Sequence, residues 1–147
     1  MNIGIALPAR LAEIVDDFSL AEGSEKLEML LQFSENLPPL PDWLKGKEAQ
    51  METVPECMTP VSVIAEVKDG RMFFYFNIPP ESPTVRGYAA IMAEGLDGVS
   101  PEQVLRLPPD FYLPMGLQYV LTPQRMNGMA AILAHLKRLA LEQISKQ

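Results

Sequence analysis

Apolar residues recur along this chain first with a helical period, then with a strand period, then with a helical one again. From Pro8 to Phe18 they fall at Leu11, Ile14, Val15 and Phe18, the i, i+3, i+4, i+7 stripe of an amphipathic helix. Gly23 interrupts that pattern, and Ser24 can cap a second helix whose stripe is Leu27, Leu30, Leu31 and Leu37. Leu37-Pro38-Pro39-Leu40-Pro41 ends it, because proline lacks the N–H that the next turn needs. Trp43, the single tryptophan, follows in a linker and is expected to cover an edge of the core. Lys45 to Gln50 is polar and expected to be exposed.

Gln50 to Val54 predicts a short strand, and Val61 to Ile78 a hairpin. Asp69-Gly70 between two apolar runs is a type I′ turn signal. With those two residues as the turn, Val67 pairs with Met72, Ala65 with Phe74, Val63 with Phe76 and Val61 with Ile78. All eight share one face, so a one-residue slip would expose every one of them. Ser62, Ile64, Glu66, Phe73, Tyr75 and Asn77 take the other face.

Three helix starts then use one device. Ser82-Pro83, Ser100-Pro101 and Thr122-Pro123 each put a hydroxyl at the N-cap and proline at the first helical position, and Gln103 completes a capping box with Ser100. The first of these helices runs to about Gly95 and buries Val85, Tyr88, Ala89 and Met92. Its Gly87 is costly in a helix interior unless another backbone or side chain approaches there. The helix from Ser100 is short, ended by Pro108-Pro109, and Phe111 to Tyr119 predicts one or two further turns. The last helix carries Met126, Met129, Leu133, Leu136, Ala140 and Ile144. Together these elements predict an α+β fold, a small antiparallel sheet of about three strands packed on one side by several helices, in one domain over residues 1–147.

Composition narrows the chemistry. With 48% hydrophobic and 21% charged residues, the 147-residue chain reads as soluble and globular. No apolar stretch is long enough to span a bilayer, and the start lacks the basic segment of a signal peptide, so a cytoplasmic protein without a membrane partner is expected. A formal charge of -7 argues against a nucleic-acid partner, which needs clustered Lys and Arg. One cysteine rules out an intramolecular disulfide and a cysteine-rich metal site. His135, the single histidine, is predicted to face solvent on the last helix, away from Met126, which leaves Cys57 without a Cys–His pair for hydrolysis. The acids are scattered, and neither a glycine-rich phosphate loop nor metal-ligand spacing is present.

What remains is Val54 to Val61, reading Val-Pro-Glu-Cys-Met-Thr-Pro-Val. Pro55 and Pro60 bracket Cys57 and keep Glu56 to Thr59 out of a helix, so the thiol rides on a short, stiff loop at the lip of the sheet. A lone cysteine is most often a small buried hydrophobe. This one lies outside the apolar register of a strand, and its neighbours match a pattern. The stretch resembles the cysteine loop of the SufE family, commonly V-x-G-C-x-S-x-V, in a branch that reads V-x-E-C-x-[ST]-P. Val54, Cys57 and Val61 match, while Glu56 replaces the glycine and Thr59 the serine. Leu121-Thr122-Pro123-Gln124-Arg125-Met126-Asn127-Gly128-Met129 is similar to the family's L-[ST]-P-x-R-x-x-G-[LM].

The resemblance implies a SufE/NifU-like fold and a sulfur acceptor rather than an enzyme. Cys57 would take persulfide sulfur from a SufS-like cysteine desulfurase, stimulate that enzyme, and deliver sulfur to an iron–sulfur scaffold protein. It implies no cofactor on this chain, since pyridoxal phosphate belongs to the desulfurase. It brings Arg125 near Cys57, where a cation and a helix N-terminus favour a thiolate; the alternative is a salt bridge from Arg125 to Glu56. Thr59, Asn127, Gly128 and Gly87 are grouped with them as residues that support the site. Glutamate at position 56 is expected to stiffen the loop and to oppose thiolate formation. Two other readings stay open: a partner-binding adaptor in which Cys57 is inert, and a thiol redox sensor.

Overall fold

The hydrophobic stripes reappear as elements in the computed structural model, which describes residues 7–55, 57 and 59–146. Helix α1, Ala9–Leu20, buries Leu11, Ile14, Val15 and Phe18, the predicted face. Helix α2, Ser24–Glu35, lies where expected but turns a different face inward: Lys26, Leu30 and Ser34 are buried, whereas Leu31 is exposed and Leu27 half-buried. Both polar residues find local partners. Lys26 lays its methylenes inward while Nζ donates to the Phe18 carbonyl at the end of α1, and Ser34 Oγ donates to the Leu31 carbonyl. Ser24 opens the helix without capping it; the N-cap is Gly23.

Two 3-10 turns, Asp42–Leu44 and Glu48–Gln50, lead into strand β1, Glu52–Thr53. Strands β2, Ser62–Lys68, and β3, Arg71–Asn77, complete an antiparallel sheet in the order β1-β2-β3. Val67 pairs with Met72, Ala65 with Phe74 and Val63 with Phe76, the predicted register. Asp69 and Gly70 both have positive φ (52° and 77°), as a type I′ turn requires. Six of the eight predicted inward residues are buried; Ala65 is half-buried and Val67 is exposed, although its partner Met72 is buried against Val99. On the opposite face Trp43 meets Tyr75 edge-on, with ring centroids 6.1 Å apart, so it covers the outside of the sheet.

The remaining helices are α3, Pro83–Gly95, α4, Pro101–Leu105, and α5, Pro123–Ser145, with 3-10 turns at Leu113–Met115 and Leu117–Tyr119 between the last two. Ser100 and Gln103 form the expected capping box, and Thr122 Oγ1 accepts from the Arg125 N–H. Ser82 departs from the device: it makes no cap, and its hydroxyl lies 3.4 Å from Thr59 Oγ1 instead. On α5 the apolar face also takes in Ile132 and Leu139, while Met126 and Ile144 are only half-buried. No helix among the described residues is long and apolar enough to cross a membrane.

Helix α3 lies in the middle, packed against α1, α2, α5 and β3, and it is buried continuously from Gly87 to Ala93. That is why it is rich in small residues. A Cβ at Gly87 would stand 2.3 Å from the backbone oxygen of Leu30, so the bare backbone is what lets α2 approach. Buried side chains from the sheet and all five helices form one hydrophobic cluster, in which Tyr88, Phe18 and Leu11 are sealed from solvent.

Gly87→Ala should therefore destabilise the fold by about 1–3 kcal/mol through overpacking, although alanine is the better helix former; chemical denaturation measures it. Burial also pushes the Tyr88 phenol well above its ordinary value. Below about pH 10 the phenol is neutral both folded and unfolded; above it only the unfolded chain loses the proton. The folded state then binds more protons, so stability falls with rising pH, by up to about 1.4 kcal/mol per pH unit. Tyr88→Phe should flatten that part of the alkaline profile, measured by denaturant titration from about pH 9 to about pH 11.

Candidate functional site

The cysteine loop is closed at its neck by a hydrogen bond from Val54 N–H to the Val61 carbonyl (2.9 Å), and both valines are buried in the core. Inside the neck, Cys57 N–H donates to the Val54 carbonyl (3.2 Å). These bonds and the flanking prolines leave the thiol little freedom. Cys57 is half-buried and packs against the core, with its Sγ donating to the Gly128 carbonyl of α5 at 3.5 Å. Gly128 has no side chain to push the sulfur away. A Cβ there would lie 3.7 Å from Sγ, an ordinary contact.

The first turns of α3 and α5 form the other walls. Arg125, in the first turn of α5, donates from Nη1 to the hydroxyl of Thr84 in the first turn of α3. Thr59, on the cysteine loop, meets Ser82 just before α3. Cys57, Thr59, Val85, Gln124, Arg125 and Gly128 thus line one cavity of about 190 Å³. Two helix N-termini, the positive ends of their dipoles, converge there with a guanidinium. Such a cavity favours an anion.

Of the residues singled out in the sequence, Cys57, Arg125, Thr59 and Gly128 are brought together. Glu56 lies outside the described residues. Asn127 points elsewhere, lining a separate concavity with Tyr112, Gln118 and Leu121. Gly87 serves the contact between α2 and α3 described above. Thr84 and Gln124 had no site role in the sequence, and Val85, expected in the core, is half-buried and lines the cavity instead; the Ser82-Pro83 and Thr122-Pro123 starts already put all three in first helical turns. His135 is a correction. It does not face solvent: its side chain is only 9% exposed, with Nε2 lying 3.3 Å from Glu52 Oε1 on β1 and 3.1 Å from Arg138. The apolar stripe suggested the outer side, but α5 also runs past the sheet edge, where a polar residue finds partners. No cluster of three or more His, Cys, Asp or Glu suited to a metal occurs among the described residues.

The chain resembles known proteins over nearly all of its length. The family described as "SufE: Fe-S metabolism associated domain" matches residues 12–140. An uncharacterized SufE-like protein of Mycobacterium tuberculosis is 43% identical over 139 residues, covering 94% of this chain and 96% of that protein. The cysteine desulfuration protein SufE of Plasmodium vivax is 27% identical over 112 residues, 76% of this chain and 44% of that one. The solution structure of a hypothetical protein from Thermus thermophilus superposes with a TM-score of 0.83 at 34% identity, covering 95% of this chain and 99% of that one.

Gly128→Ala gives a sharp contrast with Gly87→Ala. It should raise stability by about 0.5–1 kcal/mol, because among the described residues the added methyl meets only the sulfur, at an ordinary distance, and alanine favours the helix. Alkylation of Cys57 should slow at the same time, since the methyl narrows the approach to Sγ; thermal melting and iodoacetamide kinetics measure the two effects.

Proposed function

Because the chain belongs to the SufE family, and with it to Fe-S metabolism, we propose that it is a sulfur carrier: Cys57 accepts sulfur from the persulfide of a cysteine desulfurase and hands it on for iron–sulfur cluster assembly. The observation that carries this reading is the cavity that Cys57 and Arg125 both line, with Cys57 Sγ against the Gly128 carbonyl and the first turns of α3 and α5 as walls.

The Cys57 thiolate attacks the outer sulfur of the donor persulfide. A new S–S bond forms to Sγ, the donor S–S bond breaks, and its electron pair leaves on the donor cysteine as a thiolate. The charge now sits on the terminal sulfur attached to Cys57, where Arg125 and the positive ends of the α3 and α5 dipoles stabilise it. Half-burial shields that sulfur from oxidants and stray thiols. A thiolate on the receiving protein then attacks it, and Cys57 leaves as the thiolate it began as. Nothing in this cycle needs a cofactor on the carrier; pyridoxal phosphate does its work in the desulfurase. The partners are accordingly a SufS-like desulfurase and an iron–sulfur scaffold protein, met in the cytoplasm, where thiols stay reduced.

Incubation with a cysteine desulfurase, pyridoxal phosphate and labelled cysteine should add one sulfur atom to Cys57, read by mass spectrometry under non-reducing conditions. Cys57→Ser should abolish both the label and the stimulation of alanine release. Arg125→Gln should slow loading about tenfold, the worth of one charge-assisted hydrogen bond. A Cys57→Ser protein that still stimulates turnover would make the chain an adaptor and overturn the carrier reading.

A further inference from the structure

Arg125 is the one charged side chain among the described residues that line the Cys57 cavity. It is also exposed, and an arginine side chain is long and rich in rotamers, so its place on α5 does not by itself fix where the guanidinium lies. Among the described residues that guanidinium has a single hydrogen-bond partner, the hydroxyl of Thr84, to which Nη1 donates across 41 positions of sequence. Thr84 stands on a firmly held element. It lies one helical turn before Gly87, where the α3 backbone meets that of α2, and the helix is buried continuously from there to Ala93. The same end of α3 touches the cysteine loop, since Ser82 Oγ lies 3.4 Å from Thr59 Oγ1. Helix α3 does not use the Thr84 hydroxyl as a cap, and among the described residues that hydroxyl bonds Arg125 alone.

We infer that Thr84 is a positioning residue: its hydroxyl ties the Arg125 guanidinium to α3 and so keeps that cation at the cavity that holds the Cys57 sulfur. It acts through Arg125, because Thr84 does not itself line the cavity. A charge already in place when an anion forms costs no reorganisation, whereas one recruited from solvent does. The arginine stem alone cannot supply that order. Without the hydroxyl the guanidinium spreads over its rotamers, and water and salt screen it. Carbon in place of oxygen at position 84 therefore weakens the field at the sulfur while leaving the net charge of the chain unchanged. Any consequence for sulfur loading rests on the carrier reading; the placement of the cation does not.

Alkylation of Cys57 in the isolated protein by iodoacetate, an anion, and by iodoacetamide, its neutral counterpart, tests this at one pH. The thiolate fraction and the openness of the cavity affect both reagents, so the ratio of the two rates reports the charge beside the sulfur. Thr84→Val should lower the iodoacetate to iodoacetamide ratio about threefold, the scale of one exposed charge interaction. Thr84→Ala, which removes the hydroxyl without a branched carbon, should match it, and Thr84→Ser, which keeps the hydroxyl, should stay near the parent. Arg125→Gln should lower the ratio at least as far, and adding Thr84→Val to it should change nothing more, because the cation that Thr84 holds is already gone. An unchanged ratio in Thr84→Val and Thr84→Ala, a Thr84→Ser protein as low as Thr84→Val, or a further fall in the Arg125→Gln background would each overturn the assignment. Sulfur loading by a desulfurase is scored separately. A chain that accepts no sulfur but shows the fall in ratio keeps the role of Thr84 and loses the carrier reading; a chain that loads normally while the ratio stays fixed does the reverse.

Discussion

The candidate site depends on a thiol resting directly on the backbone of a helix. Cys57 Sγ meets the Gly128 carbonyl because the loop is too stiff to wander, and glycine at 128 leaves the sulfur open on that side. Pro55 and Pro60 limit the backbone, the bond between Val54 and Val61 closes the neck, and two buried valines sink it into the core. The opposite faces of that helix and sheet are anchored in one hydrophobic cluster. Stability of the whole fold is thus what sets the position of one sulfur atom.

Charge in the cavity comes from architecture more than from side chains. The net charge of the chain is -7, yet the cavity beside Cys57 is ringed by two helix N-termini and Arg125. The guanidinium is aimed by Thr84, and Thr84 is where it is because α3 is wedged between α1, α2, α5 and the sheet. The close approach at Gly87 is part of that wedge. A residue remote from the thiol therefore matters to the site through helix placement rather than through contact.

The loop that carries Cys57 is held from several directions. Contacts on three sides hold it: the Gly128 carbonyl beneath the sulfur, Ser82 beside Thr59, and the charged cluster at Glu52 behind the stem. With the neck bond between Val54 and Val61, these contacts fix the loop where the sulfur sits.

Local instructions in the sequence were legible because their causes are local. The Asp69-Gly70 turn, the register of β2 and β3, the buried face of α1 and the capping box at Ser100 each follow from residues a few positions apart, acting through sterics and alternation. The motif around Arg125 also pointed to Cys57, though through family resemblance rather than through any period. Contacts made across the chain were decided by the tertiary structure alone. Arg125 meets Thr84 across 41 positions, Cys57 meets Gly128 across 71, and Arg138 meets Glu52 across 86. The same cause explains the face of α2, where Lys26 and Ser34 replaced Leu31, the hydroxyl of Ser82 drawn to Thr59, and His135 turned in toward the sheet edge. A polar side chain's burial depends on which acceptor the fold brings beside it, and periodicity along one helix carries no record of that neighbour.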